Sequence, residues 1–341
     1  MKAGKLPSDH LARLLARLPA EPRLLLGPGI GRDAAAIDLG GGRVLVAKAD
    51  PITFATEQIG RYAVHVNAND VACLGARPAW FLATVLLPEG ATPELAEEIF
   101  EQIRTACEEL AVVPVGGHTE ITLGLDRPVV AGAMLGEVTR EALVRPDGAR
   151  AGDHVVLTKG IALEGTALLA REASETLRAR GVPEQVIAAA ARLLVDPGIS
   201  VVREALAACR SGPVHALHDP TEGGLATALL ELGQAAGLRV RLRREDVTIL
   251  TETAAVCAAL GLDPLGVLAS GALLIAVPPE ACEAVRRAIE LEEIAATCVG
   301  DLASGRGGAI IEPWGEGPLP RFERDEVASF LETFGRKAAD G

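Results

Sequence analysis

The sequence predicts an α/β (α+β) protein of two domains, and three observations carry that expectation. A chain of 341 residues is too long for one ordinary core and fits two domains of roughly 150 to 170 residues each. Strand-like and helix-like segments alternate, break in the polar, turn-rich stretch Arg145-Pro-Asp-Gly-Ala-Arg-Ala-Gly-Asp153, and then restart. Each half also carries a strand-like run that ends in Asp-Pro, at Asp50-Pro51 and at Asp219-Pro220. Because aromatics make up only 3% of a chain that is 49% hydrophobic, the cores must be built from aliphatic packing.

In order along the chain, Leu11, Leu14, Leu15 and Leu18 fall on one face of an opening helix. A glycine-punctuated loop follows, Gly27-Pro-Gly-Ile-Gly31, then Arg32-Asp33. Val44 to Ala47 is expected as a strand ending in Lys48-Ala49-Asp50-Pro51, Gln58 to Leu74 as a helix, and Pro78 to Leu87 as containing a strand. Thr92-Pro93-Glu94 has the form of a helix start, with a cap, a proline in the first turn and an early acid. The helix it opens turns Leu95, Ile99, Ile103, Ala106 and Leu110 inward. A strand at Val112 to Val115 ends in Gly116-Gly-His-Thr-Glu120, and Val129 to Val138 is another. In the second half, strand His154 to Thr158 runs into Lys159-Gly160 and a helix from Leu163 to Glu172. Val214 to Leu217 leads into His218-Asp-Pro-Thr-Glu-Gly-Gly224 and a further helix.

Composition excludes several function classes. A net charge of −13 without a basic stripe argues against nucleic acid as a partner. The six cysteines, at 73, 107, 209, 257, 282 and 298, form no C-x-x-C pair. They are therefore expected as buried free thiols in a reducing compartment rather than as a zinc or disulfide framework. No apolar run has the length of a membrane span and the N-terminus has no signal-peptide core, so the expected location is cytoplasmic, with no membrane partner.

The only two asparagines, Asn67 and Asn69, stand beside Asp70 in Val66-Asn-Ala-Asn-Asp-Val-Ala-Cys73. Amide and carboxylate together offer donors, acceptors and a metal or phosphate handle, although helix capping alone would also favour these residue types. Asp33, Asp50, Asp70, Glu120 and Asp219 recur at expected strand or loop ends. Taken singly, each is best read as a cap or turn former. As a set of carboxylates they call for a hard divalent cation, and Mg²⁺ would bind them together with a nucleotide's phosphates. Glycines 27, 29 and 31 could wrap a phosphate, but neither a Walker loop nor a dinucleotide fingerprint is present. Gly223-Gly224, after Thr221-Glu222, opens a helix whose N-terminus would attract an anion. Lys48 and Lys159, two of five lysines, sit at strand ends where either could touch a phosphate or lie solvated.

Four blocks stand in order: Gly31-Arg-Asp-Ala-Ala35, Asn69-Asp-Val-Ala-Cys-Leu-Gly-Ala-Arg-Pro78, Gly116-Gly-His-Thr-Glu120 and His218-Asp-Pro-Thr-Glu-Gly-Gly-Leu-Ala226. Together, over roughly residues 25 to 320, they resemble the AIR synthase-related (PurM-like) superfamily. Gly315-Glu-Gly-Pro-Leu-Pro-Arg321 makes the chain most similar to the branch of the hydrogenase expression/formation protein HypE. The resemblance implies an N-terminal domain over 1–148 whose mixed sheet forms a dimer barrel and binds ATP and Mg²⁺. It implies a C-terminal α/β domain over 149–322, followed by a helix or tail over 323–341. It implies Asp33, Asp50, Asp70 and Asp219 as metal ligands, with Asp33, Asp70 and Lys48 in the catalytic role. Gly29, Gly31, Asn67, Asn69, Lys159, Thr221, Gly223 and Gly224 would bind nucleotide, the two asparagines at the start of a nucleotide-contacting helix. The chemistry implied is phosphoryl transfer, in which positioning and charge neutralisation do most of the catalysis.

Three departures shape the expectation. HypE proteins end in Pro-Arg-Ile-Cys and carry the reacting group on that cysteine, whereas here Pro320-Arg321 precedes Phe322-Glu323 and no cysteine follows Cys298. The family's Gly-Asp-Asp loop is Gly31-Arg32-Asp33, and His118 stands where an Asp is usual, with Glu120 close enough to compensate. The expected function is therefore an ATP- and Mg²⁺-dependent phosphoryl-transfer enzyme acting on a small carboxamide, carboxylate or phosphate-bearing substrate. Its expected partners are a second copy of itself and a maturation-factor protein. The alternatives are a thiamine-monophosphate-kinase-like enzyme and a non-catalytic nucleotide-binding regulator.

Overall fold

The computed structural model describes residues 6–29, 31–53 and 57–339; Ile30 of the glycine loop and the last two residues of the expected tail lie outside them. The chain divides into two compact units, Met1–Leu143 and Val144–Gly341.

In the first unit the elements run α1 (Ser8–Leu15), β1 (Leu24–Leu26), β2 (Ala35–Gly40), β3 (Arg43–Ile52), α2 (Ile59–Ala72), β4 (Arg77–Pro88), α3 (Pro93–Glu109), β5 (Val113–Thr122) and β6 (Val129–Thr139). The six strands form one sheet in the order β1-β2-β3-β6-β4-β5. Only β4 and β5 pair in parallel, because α3 is the crossover between them. The α3 start is capped as its sequence predicts, Thr92 Oγ1 accepting from Leu95 N at 3.3 Å. Ile99, Ile103 and Ala106 are its buried residues along with Cys107.

Alternation on the strands decides which side chains meet α2. Val44 and Val46 of β3 are fully buried, and the same period carries Lys48 and Asp50 to that face. The strand runs through the expected end, Lys48-Ala49-Asp50-Pro51, to Ile52, because β3 stays paired with β6 from Arg43↔Thr139 to Ile52↔Val130. Where α2 crosses β6, Gly132 permits close approach. A Cβ there would lie 2.6 Å from Asn67 Nδ2 and 2.7 Å from the Phe81 ring. β5 also differs from expectation, since the strand does not stop at Val115 but runs through both glycines to Thr122. At Gly117 the two strands come so close that a Cβ would overlap the Ala83 carbonyl oxygen, 1.9 Å away.

The second unit runs β7 (His154–Thr158), α4 (Leu163–Glu172), α5 (Ser174–Ala179), α6 (Glu184–Arg192), α7 (Val202–Ser211), β8 (Ala216–His218), α8 (Gly224–Ala236), β9 (Leu238–Arg243), α9 (Thr251–Leu260), β10 (Leu274–Val277), α10 (Pro279–Glu290), β11 (Ala296–Ser304), β12 (Gly307–Glu312), β13 (Gly315–Pro318) and α11 (Glu326–Ala339). Its seven strands form a second mixed sheet, ordered β13-β12-β9-β11-β7-β10-β8, with β9 and β12 the parallel pair. Every residue of β10, and all of β7 beyond His154, is buried. These strands accordingly read as continuous apolar runs, not as alternating ones. The core is aliphatic throughout, with Leu157, Leu169, Leu177, Leu229, Leu274 and Val299 at its centre. Val327 of α11 is buried against it, and Phe322, Phe330 and Leu331 pack at its edge. No single described helix is long and apolar enough to cross a membrane.

Candidate functional site

Sheet and helix of the first unit meet at Lys48. Its ammonium lies 2.6 Å from Asp70 Oδ2 and 3.4 Å from Asp50 Oδ2, with only 12% of the side chain exposed. Burial by itself would lower the lysine's pKa, but the carboxylates of Asp70, Asp50 and Asp33 outweigh it and hold the pKa above its ordinary value. Three of the four expected metal-binding acids are thus gathered around one cation. The fourth, Asp219, is buried in the second unit just after β8.

Asn67 is fully buried beside this cluster. Its Nδ2 donates to the Ala63 carbonyl at 2.8 Å and to the Asp50 carbonyl at 3.2 Å, which ties α2 to β3. Its Oδ1 has no hydrogen-bond partner among the described residues. A buried amide oxygen without a donor is costly unless something outside the chain supplies one. The asparagines are placed differently from the expectation. Asn67, Asn69 and Asp70 lie in the last two turns of α2, not at its start, because the apolar helical pattern already begins at Ile59. Asp70 is therefore a helix residue facing a strand, and no strand end.

The residues present suit a magnesium–nucleotide complex. Three carboxylates against one ammonium leave a formal charge of −2, and oxygen donors of this kind are what Mg²⁺ takes. Asp33 and Gly31 are exposed at the foot of β2. Gly29 accepts from Arg32 N at 3.3 Å, and the Arg32 guanidinium folds back onto the Gly27 carbonyl at 3.4 Å. The loop's added cation is thus turned toward its own backbone.

Two expected nucleotide contacts are corrected. Lys159 is buried, ion-paired to Glu204 at 2.8 Å, and donates to the carbonyls of Gly198, Ser200 and Gly271. Three ammonium protons shared among four oxygens leave no donor for a phosphate. At the α8 N-terminus the Gly223 N–H donates to Asp325 Oδ2 at 2.8 Å, while Asp325 Oδ1 accepts from Val327 N at 2.8 Å. A carboxylate from the chain itself already fills the anion position that Gly223 was expected to offer. Beside it, the Thr221 carbonyl accepts from Gly224 N and Ala269 N. Gly224 is required by packing, since a Cβ would meet the Leu265 carbonyl at 2.5 Å.

His118 and Glu120 are neighbours on β5, Nε2 to Oε2 at 3.0 Å, both exposed. A single row of register runs Asp50, Gly132, Ala83, Gly117 across β3, β6, β4 and β5. The His118 pair is thus three strand spacings, about 14 Å, from the Lys48 cluster within the chain.

Sequence reasoning missed three groupings. Asp325 at α8 and Glu204 under Lys159 carry no local signal, because their partners lie about a hundred and about forty-five residues away. The third joins His154, Cys282 and Cys298. All six cysteines are free, as expected, but the absence of C-x-x-C spacing says nothing about cysteines brought together by a sheet.

Comparison with known proteins covers both units. Residues 31–138 match the model of the AIR synthase related protein N-terminal domain, and residues 150–312 match that of the C-terminal domain. Carbamoyl dehydratase HypE of Bradyrhizobium diazoefficiens is 30% identical over 315 residues, 85% of this chain and 86% of that protein. An alignment with a hydrogenase expression/formation relative from Methanocaldococcus jannaschii, 29% identical over 68% of this chain, spans 66% of that protein's length. Among solved structures, hydrogenase maturation protein HypE in complex with ATP superimposes with a TM-score of 0.67 at 25% identity, covering 94% of this chain and 96% of that one. A chain of a HypE–HypF complex gives 0.70 at 22%, covering 84% and 93%. With both sheets, both family models and a relative matched over most of its length, the chain belongs to the AIR synthase related family, close to HypE.

Proposed function

We propose that the chain is an ATP- and Mg²⁺-dependent phosphoryl-transfer enzyme that activates a small carboxamide, carboxylate or phosphate-bearing acceptor. The observation that carries this reading is the Lys48 cluster, a buried cation among three carboxylates with the partnerless Asn67 oxygen next to it. Asp33, Asp50 and Asp70 would hold Mg²⁺, which when bound neutralises triphosphate charge. Among the described residues the Lys48 ammonium is the one cation at the cluster, and it would face charge that develops on the transferring group. The Gly29 to Gly31 loop would lie along the phosphates. The ATP complex of a HypE relative with this fold supports the choice of nucleotide.

The acceptor differs from a cysteine carried on a mobile tail. After Pro320-Arg321 the chain packs Phe322 against Gly266, anchors Asp325 at α8 and buries Val327. An acceptor supplied as a separate small molecule fits that arrangement. A second copy of the chain, lying along β5, and a maturation-factor protein are the partners of this reading, the latter by analogy with the HypE–HypF complex. ATP-dependent chemistry of this kind belongs in the cytoplasm.

Calorimetric titration of the protein with ATP, with and without Mg²⁺, tests the proposal. Mg²⁺-dependent binding that Asp70→Asn abolishes is the expected result. Equal binding by wild type and variant would remove Asp70 and its cluster from the site. A nucleotide-binding regulator without turnover is the second reading, favoured by an exposed His118–Glu120 pair that leaves β5 one carboxylate short. ADP release stimulated by any carboxamide or phosphate acceptor would exclude it.

A further inference from the structure

His154 opens β7, Cys298 lies on the neighbouring strand β11, and Cys282 comes from α10, which packs over both strands. In the ladder Cys298 is opposite Val156, so His154, two residues earlier, shares its face. Between Cys298 and Gly300 the register shifts, and Asp301 rather than Gly300 comes opposite His154. One ligand atom from each of His154, Cys282 and Cys298 lies within 4.8 Å of the other two.

We propose that His154, Cys282 and Cys298 form a binding site for a soft divalent cation of the zinc class, which ties α10 to the β7–β11 pair. Zinc bonds of about 2.3 Å to sulfur and about 2.0 Å to nitrogen in a tetrahedron put neighbouring ligand atoms about 3.5 to 3.8 Å apart. The observed spacing needs only side-chain adjustment to reach that. Two thiolates and a neutral imidazole balance a divalent charge, and this sulfur–nitrogen set discriminates against Mg²⁺, which takes oxygen. The surroundings also suit metal-bound sulfur. Arg243 Nη2 donates to the Cys298 carbonyl at 2.8 Å and reaches its Sγ at 3.5 Å, while Arg243 is itself held by Asp246. Cys282 is buried, whereas His154 and Cys298 are partly exposed, which leaves a path for the ion and a fourth position for water. None of these residues belongs to the Lys48 cluster, so this site stands or falls independently of the phosphoryl-transfer reading.

Cobalt(II) titration of the fully reduced full-length protein is the test. Expected are one equivalent bound, a near-ultraviolet thiolate-to-cobalt charge-transfer band, visible bands of tetrahedral intensity, and displacement by Zn²⁺. Cys298→Ser and Cys282→Ser should each lower the charge-transfer intensity by about half and weaken binding by more than about tenfold. His154→Ala should weaken binding but keep the charge-transfer band, and Cys209→Ser should change nothing. A wild-type protein that shows no charge-transfer band overturns the proposal whatever the variants do. So does a band that survives unchanged in Cys282→Ser or Cys298→Ser, or one that disappears in Cys209→Ser.

Discussion

Lys48 and Asp70 are a nearly buried ion pair, with 12% and 8% of their side chains exposed. Removing one member of such a pair typically costs about 3 to 5 kcal/mol, because the remaining charge is left without its partner. Lys48→Met should therefore lower the stability found by urea unfolding by that order, and adding Asp70→Leu should recover part of it. Additive losses in the double variant would show that the two residues do not act as a pair. Glu164 makes a residue-scale prediction of opposite kind. Burial pushes its carboxyl up to about 7; a Ser270 hydrogen bond opposes this, and the neighbouring Asp325 and Glu222 charges add to it. Between its unfolded pKa near 4.5 and about 7, the folded protein holds the proton that the unfolded chain releases. Stability is thus lost as pH rises through that window. Glu164→Gln keeps the neutral shape at every pH, so it should match wild type at pH 4.5 and be more stable by about 1 to 3 kcal/mol at pH 8. Thermal unfolding at the two pH values checks this, and a gap independent of pH would contradict it.

At the scale of elements, the decisive contact is α2 against β3 and β6, where Asn67 ties helix to strand and Gly132 gives it room. Gly132→Ala would drive a methyl group into Asn67 and the Phe81 ring, at an expected cost of about 1 to 3 kcal/mol in urea unfolding. A neutral result would mean that α2 can lift without loss. Much of this layer was legible in the sequence. Periodicity located α2, α3 and α4, Thr92 announced a capped helix, and the acids around Lys48 were all chosen from local motifs. What sequence could not supply was facing. Reading Lys48-Ala49-Asp50-Pro51 as the closing residues of a strand does not reveal the alternation that turns Lys48 and Asp50 toward Asp70. Likewise a glycine pair at a helix start suggests an anion site, but only the fold brings Asp325 there from 102 residues away to fill it. Lys159 fails for the same reason, since its carbonyl acceptors come from two distant segments. Long-range partners leave no spacing to recognise, and the His154–Cys282–Cys298 grouping is a further instance.

For the molecule as a whole, the edge of the first sheet is where association would be decided. β5 pairs with β4 on one side only, and every residue from Val113 to Ile121 is exposed. Val113, Val115 and Ile121 are 57%, 51% and 64% exposed, and Leu123 just beyond is 79% exposed. Isolated edge strands are usually blunted by lysine, a bulge or a covering element, because unpaired N–H and C=O groups beside apolar side chains invite another chain. β5 carries no lysine, and its only such features are Pro114 and a register shift near its start. A second copy of the same surface would cover the strand with matching apolar groups, and a two-fold arrangement would do so for both copies at once. Sedimentation equilibrium at micromolar protein should therefore find dimers. Val115→Lys combined with Ile121→Lys should give folded monomers, because two ammonium groups would have to be desolvated for the faces to meet. The residues changed lie outside the Lys48 cluster, so ATP titration of that monomer asks a separate question. Retained binding would locate nucleotide recognition within one chain, and its loss would mean that a partner's surface completes it. A wild-type protein that stays monomeric at those concentrations would refute association through β5.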